Sequence, residues 1–112
     1  MERSLKKSLE DITMAIEEID SFFNSRPRRF DLYTSDTCLR RAIERNITII
    51  GEAMNRVLKI SPDIKITSAR KIVGTRNYVI HGYDSVTDDI MWGIVINHLP
   101  VLKAEIDELL KD

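Results

Sequence analysis

The sequence predicts an all-α fold, an antiparallel up-down four-helix bundle, on three observations. Apolar residues recur at three- and four-residue steps over four long segments. Turn-forming residues gather between those segments, at 24–36, 60–67 and 82–87. Strand signals are weak, because the β-branched run Ile47 to Ile50 is embedded in a 3.6-residue pattern. Four amphipathic helices with short connections close most simply as an up-down bundle.

The first segment covers about residues 4–23, where Ile12, Ala15, Ile16, Ile19, Phe22 and Phe23 make one apolar stripe. The second covers 36–60. Its stripe is Leu39, Ile43, Ile47, Ile50, Met54, Val57 and Leu58, and Ser35 or Asp36 can cap its start. The third covers 68–82. The fourth covers 88–110, with Thr87 as N-cap and Asp88 and Asp89 suited to the positive end of the helix dipole. Its expected buried face is Trp92, Val95, Ile96, Leu99, Leu102, Ile106, Leu109 and Leu110. Pro100 lies inside this segment. It removes one backbone hydrogen bond and should kink the helix or split it.

The 112 residues make a single domain, 1–112, large enough to fold without staples. With 43% hydrophobic and 31% charged residues, the composition is that of a folded globular chain and argues against disorder. The lone Cys38 cannot form an internal disulfide, so a reducing, cytoplasmic setting is expected and no catalytic role is assigned to it. Lys6, Lys7, Glu10, Asp11, Glu17 and Glu18 make residues 1–20 unlike a secretory signal. No apolar run of about 18 residues is present, so no membrane span is expected.

A formal net charge of −1 argues against a nucleic-acid binder, but the charge is unevenly distributed. Residues 1–25 carry −3, residues 26–76 carry +7 and residues 77–112 carry −5. The middle of the chain could therefore face phosphates while both ends stay acidic. Charge alone equally fits scattered, solvated helix residues.

The third segment carries the chemistry-bearing run, Arg76-Asn77-Tyr78-Val79-Ile80-His81-Gly82-Tyr83. On a helical wheel stepped at about 100°, Ile72, Val73, Val79, Ile80 and Tyr83 fall within about 60° of Arg76. Arg76 thus lies on an apolar stripe, and Tyr83 is two turns further along it. His81 falls about 140° away, with Asn77 one turn before it. A guanidinium on such a stripe is costly unless a carboxylate or carbonyl meets it. One account makes Arg76 a buried clamp, paired with Glu44 or Glu52, and leaves Asn77 and His81 as an exposed pair. The other is catalytic. RNA breaks without metal when its 2′-OH attacks the adjacent phosphate. A histidine can move the proton and an arginine can stabilise the charge of the transition state. Asn77 and Tyr83 would then orient. Arg76 and His81 converge if the helix frays at Gly82 or if two copies meet across a dimer axis.

R-x-x-x-x-H, in the longer form R-N-x-x-x-H-G-Y, resembles the signature of HepT-like toxins of the HEPN superfamily, with Arg76, Asn77, His81, Gly82 and Tyr83 at the motif positions. Arg41-Ala42-Ile43-Glu44-Arg45 with Ile49-Ile50-Gly51-Glu52-Ala53 resembles the second helix of that family. Trp92 with His98-Leu99-Pro100-Val101-Leu102 resembles its last helix. The resemblance implies a HEPN-like homodimeric ribonuclease with Arg76 and His81 as catalytic residues across the subunit interface. It also implies a minimal nucleotidyltransferase antitoxin that transfers AMP from ATP to Tyr83. An alternative is a non-catalytic helical dimer that docks the nucleotidyltransferase and accepts AMP.

Several further residues have weaker expected roles. Gly51 suggests close helix approach, and Glu52 could line the dimer interface or orient Arg76. His98 is expected as a partly exposed helix residue rather than a second base. Arg26-Pro27-Arg28-Arg29-Phe30 could be an RNA-contacting loop or a solvated basic one. With His81 and His98 as the only histidines and no Gly-rich phosphate loop, neither a metal nor a cofactor is expected.

Overall fold

The computed structural model describes residues 1–81 and 88–111, and for 76–81 the backbone alone. Among the described residues every regular element is helical. Helix α1 spans Arg3–Ser21, α2 Phe30–Ser35, α3 Thr37–Ile60, α4 Ala69–His81, α5 Asp88–Gly93 and α6 Leu99–Leu110, with a π-helical turn Ile94–His98 joining α5 to α6. The four expected segments correspond to α1, α3, α4 and the α5–α6 unit. The radius of gyration, 13.9 Å, is close to the roughly 13 Å expected for a domain of this length.

The helix starts follow from local chemistry. The Glu2 side chain accepts from the backbone N–H groups of Ser4 (2.8 Å) and Leu5 (3.2 Å) at the head of α1. Asp36 accepts from the Leu39 N–H (3.0 Å) at the head of α3. That bond, with the Arg26 guanidinium beside it, holds the Asp36 carboxyl below its ordinary pKa. Asp36, one of the two expected caps, is therefore the cap.

The long α3 is the central element, packed on α1 to one side and on α4 to the other, while α6 closes against α1. The core follows the expected stripes. Ile12, Ile16 and Ile19 of α1 meet Ile43, Ile47, Ile50, Met54 and Val57 of α3, all at most 2% exposed. Among the described residues no helix is long and apolar enough to cross a membrane.

Three features depart from the sequence expectation. The connection at 24–36 contains a short helix, α2, because Tyr33 is drawn fully into the core. Its ring stacks at a tilt on Trp92 (centroids 5.2 Å apart), which also takes Phe23 edge-on at 5.7 Å. Next, the last helix is divided as expected, but by a π-helical turn that ends just before Leu99 and Pro100. Pro100 sits in the first turn of α6, and the Leu99 N–H bonds the Ile94 carbonyl five residues back. The extra residue in that wider turn accommodates a proline that has no N–H and whose ring would crowd the preceding turn. Finally, Ile96, expected in the buried face, is 37% exposed, while Met91 and Ile94 are buried. The wider π turn shifts the register by one residue, which a wheel of constant 100° steps does not anticipate. The Thr87 cap lies outside the described residues.

The approach to α4 is pinned from across the bundle. Glu105 on α6 accepts from both the backbone N–H (3.2 Å) and the hydroxyl (2.6 Å) of Thr67. We expect Glu105→Ala to lower stability by about 1 kcal/mol, or about 4 °C in Tm. Thermal unfolding followed by circular dichroism checks this, and an unchanged Tm would mean that α4 is held by apolar packing alone.

Candidate active site

Positions 76, 77 and 81 fall in the second half of α4, whose backbone is helical through His81. The side chains of Arg76, Asn77 and His81, and all of Gly82 and Tyr83, lie outside the described residues. The lower half of the same helix defines its faces. Ala69 and Ile72, seven and four residues before position 76 and in helical register with it, are 6% exposed each. Arg70 and Lys71 are exposed. Position 81 stands seven residues beyond Gly74, two turns along one line of the helix.

On α3, Gly51 is buried and Glu52 is exposed. Glu44 pairs with Arg41 at 3.5 Å. Tyr33 of α2 lies near Glu44 of α3. Its hydroxyl is buried and has no hydrogen-bond partner among the described residues. Burial, followed by the Asp88 and Glu44 carboxylates, raises its pKa far above the ordinary phenol value. Asp88 in turn accepts from Arg40 at 3.4 Å, tying the start of α5 to α3.

The basic middle of the chain divides into two populations. In the connection after α1, Arg26 pairs with Asp36 (2.9 Å), Arg28 with Asp20 (2.9 Å) and Arg29 with Asp31 (2.8 Å). Arg28 also lies over the Phe23 ring at 4.7 Å. This loop is basic in sequence and locally neutralised in space, which favours the solvated reading over the RNA-contacting one. Lys59, Arg70 and Lys71 have no carboxylate within ion-pair distance among the described residues. Lys59 and Arg70 line an open groove of about 400 Å³ between α3 and α4, together with Asn55 and Gly74. Of these cations, Arg70 and Lys71 stand on the helix that carries the motif and Lys59 faces it from α3, while Arg45 and Lys65 are unpaired elsewhere among the described residues.

A second cleft, of about 480 Å³, opens on the other side of Gly74, between α4 and the α5–π unit. Gly93, Asn97 and the half-buried His98 line it. Sequence reasoning passed over Gly74 and Gly93. The available signal was that each glycine interrupts a helical pattern, at a cost of roughly 0.5–1 kcal/mol relative to alanine. Among the described residues a Cβ added at either position meets nothing within 4 Å, so packing among them does not require either glycine.

These observations define a small, all-helical domain with a basic groove and an Arg/His motif on one helix. The family description "Ribonuclease HepT-like" matches residues 12–109. A protein of Thermococcus cleftensis named "Probable ribonuclease HepT" is 33% identical over 99% of this chain and 100% of its own length. A protein of Methanocaldococcus jannaschii named "Putative RNase" is 28% identical over 98% of this chain and 90% of its own. A "Putative RNase" of Caldanaerobacter subterraneus is 30% identical over 73% of this chain and 74% of its own. No solved structure matches the chain. The chain belongs to the HepT-like ribonuclease family, and is by that membership an RNA-cleaving enzyme.

Proposed function

We propose that this protein is the toxin of a type VII toxin–antitoxin pair, a metal-independent endoribonuclease that acts on cytoplasmic RNA as a homodimer. The observation that carries this reading is the R-N-x-x-x-H-G-Y run, whose positions 76–81 form the last turns of α4, in a chain of the HepT-like ribonuclease family. The unbalanced cations of the adjacent groove support it, since a ribonuclease must hold phosphate.

In this mechanism His81 takes the proton of a ribose 2′-OH, and the 2′-oxygen attacks the neighbouring phosphorus. A 2′-O–P bond forms and the P–O5′ bond breaks. A proton passes to the leaving O5′, leaving a 2′,3′-cyclic phosphate and a 5′-hydroxyl. Arg76 stabilises the charge that builds on the phosphoryl oxygens. Asn77 orients the group that moves the proton. A dimer axis beside α4 brings Arg76 and His81 of two copies toward one cleft, which answers their divergence on a single helix.

Control falls on Tyr83. A nucleotidyltransferase antitoxin joins the tyrosine oxygen to the α-phosphorus of ATP and releases pyrophosphate. The added AMP fills the cleft and places negative charge where the RNA phosphate must sit. The test is incubation with the partner and ATP followed by intact-mass measurement. The wild-type chain should gain about one nucleotide mass or a multiple of it, and Tyr83→Phe should gain none. A gain that persists in Tyr83→Phe would remove Tyr83 as the sole acceptor. Cleavage itself is tested with a small RNA panel in the presence of chelator, where loss of all activity would refute metal independence.

A further inference from the structure

We infer that the cleft between α4 and the α5–π unit is a subsite for one unstacked nucleobase of the RNA, and this rests on the ribonuclease reading above. Its floor is bare helix backbone at Gly74 and Gly93, where a Cβ would enter empty space. Helix backbone exposed from both sides admits a flat ring more closely than side chains would allow. Ile90 and Ile94 provide apolar surface for the faces of the ring, while the Asn97 amide offers both donors and an acceptor to a base edge. The cavity, about 480 Å³, is in the range that holds a nucleotide-sized ligand.

Its position suits the substrate. Gly74 borders both this cleft and the groove that carries Lys59 and Arg70, so a strand whose phosphates follow the groove can place a base in the cleft. Position 81 of the motif lies two turns beyond Gly74 on the same helix line, which sets the base near the scissile phosphate. The π turn contributes by carrying Asn97 and His98 to the rim, and such turns often occur at functional sites. The polar rim and concave floor favour a base over a second copy of the chain, whose helices would present ridges of side chains.

Gly93→Leu tests the inference, because its Cβ has open space around it and the rest of the side chain projects into the cleft. Binding is measured by fluorescence anisotropy with a labelled single-stranded oligoribonucleotide, in a His81→Ala background so that the RNA stays intact. Gly93→Leu should weaken binding by about 5-fold, the lower end of what a stacked base contributes, since isoleucines and not aromatic rings meet its faces. Tm should hold or rise, since leucine is the better helix former. The slope of affinity against salt should stay unchanged, because no phosphate contact is lost. An oligonucleotide with a ribose-phosphate spacer in place of the cleft-bound nucleotide should bind the glycine-containing protein equally weakly, and the two losses should not add. Unchanged affinity in Gly93→Leu overturns the subsite. So does a change in oligomeric mass by light scattering, which would make the cleft a protein interface. Failure of the catalytic reading is separate and would appear as equal cleavage by the wild-type chain and His81→Ala.

Discussion

His81→Ala should lower the rate of RNA cleavage by about 10²–10⁴-fold, the range that a positioned acid–base group contributes. Arg76→Ala should fall in the same range, because it removes the group that meets developing phosphoryl charge. Arg76→Lys should recover little. A lysine keeps the charge but not the planar fork that grips two phosphate oxygens at once. The double variant should be scarcely slower than either single one, since residues acting on one transition state do not contribute additively. Single-turnover cleavage of an end-labelled RNA, with chelator present, measures all four. Circular dichroism must accompany it, because position 76 is in helical register with the buried Ala69 and Ile72. A variant that loses both its fold and its activity would point to the clamp role of Arg76. Full activity in a folded His81→Ala would remove this histidine from the mechanism.

The second large effect concerns Tyr33. Tyr33→Ala should destabilise the fold by about 3–5 kcal/mol, as truncation of a buried aromatic ring does. That is a large part of the roughly 5–15 kcal/mol holding a domain together, and amounts to about 12–20 °C in Tm. The ring is fully buried and contacts Trp92, so its loss leaves a cavity where α2, α3 and α5 meet. Tyr33→Phe should have the opposite sign, raising stability by up to about 1 kcal/mol. It keeps the ring and removes a buried hydroxyl with no partner among the described residues. Denaturant unfolding of both variants reads the two effects. If phenylalanine proved as damaging as alanine, the hydroxyl would have a partner that stabilises it.

Much of the bundle was legible because burial and helical period coincide. Residues such as Ile16, Ile43 and Ile106 recur on one side of their helices, and a stripe needs only constant angular steps to be read. Asp36 was legible as a cap because a carboxylate just before an apolar helix can meet unpaired N–H groups. Ile96 was misread where the steps are not constant, since the π turn before Pro100 adds a residue. Helix α2 was missed because its six residues are too short for a period, and one long-range partner, Trp92, orders them.

The candidate site shows the same division. The run from Arg76 to Tyr83 is a local pattern, and residue types at fixed spacing are enough to point to RNA chemistry and to the family. Which cations remain available for phosphate is not local. Arg26, Arg28 and Arg29 form the densest basic stretch, yet carboxylates 2 to 10 residues away pair with all three. Lys59 and Arg70 are 11 positions apart in sequence and border one groove. The cleft at Gly74 and Gly93 lies between two consecutive helices, α4 and α5, and exists only through the way they are set side by side. The sequence by itself therefore determined the four long helical segments, most of their buried stripes and the motif run. The tertiary structure decided which charges are neutralised and where open space lies beside the run, because charge pairing and empty volume depend on distances between helices, which no spacing along a single helix records.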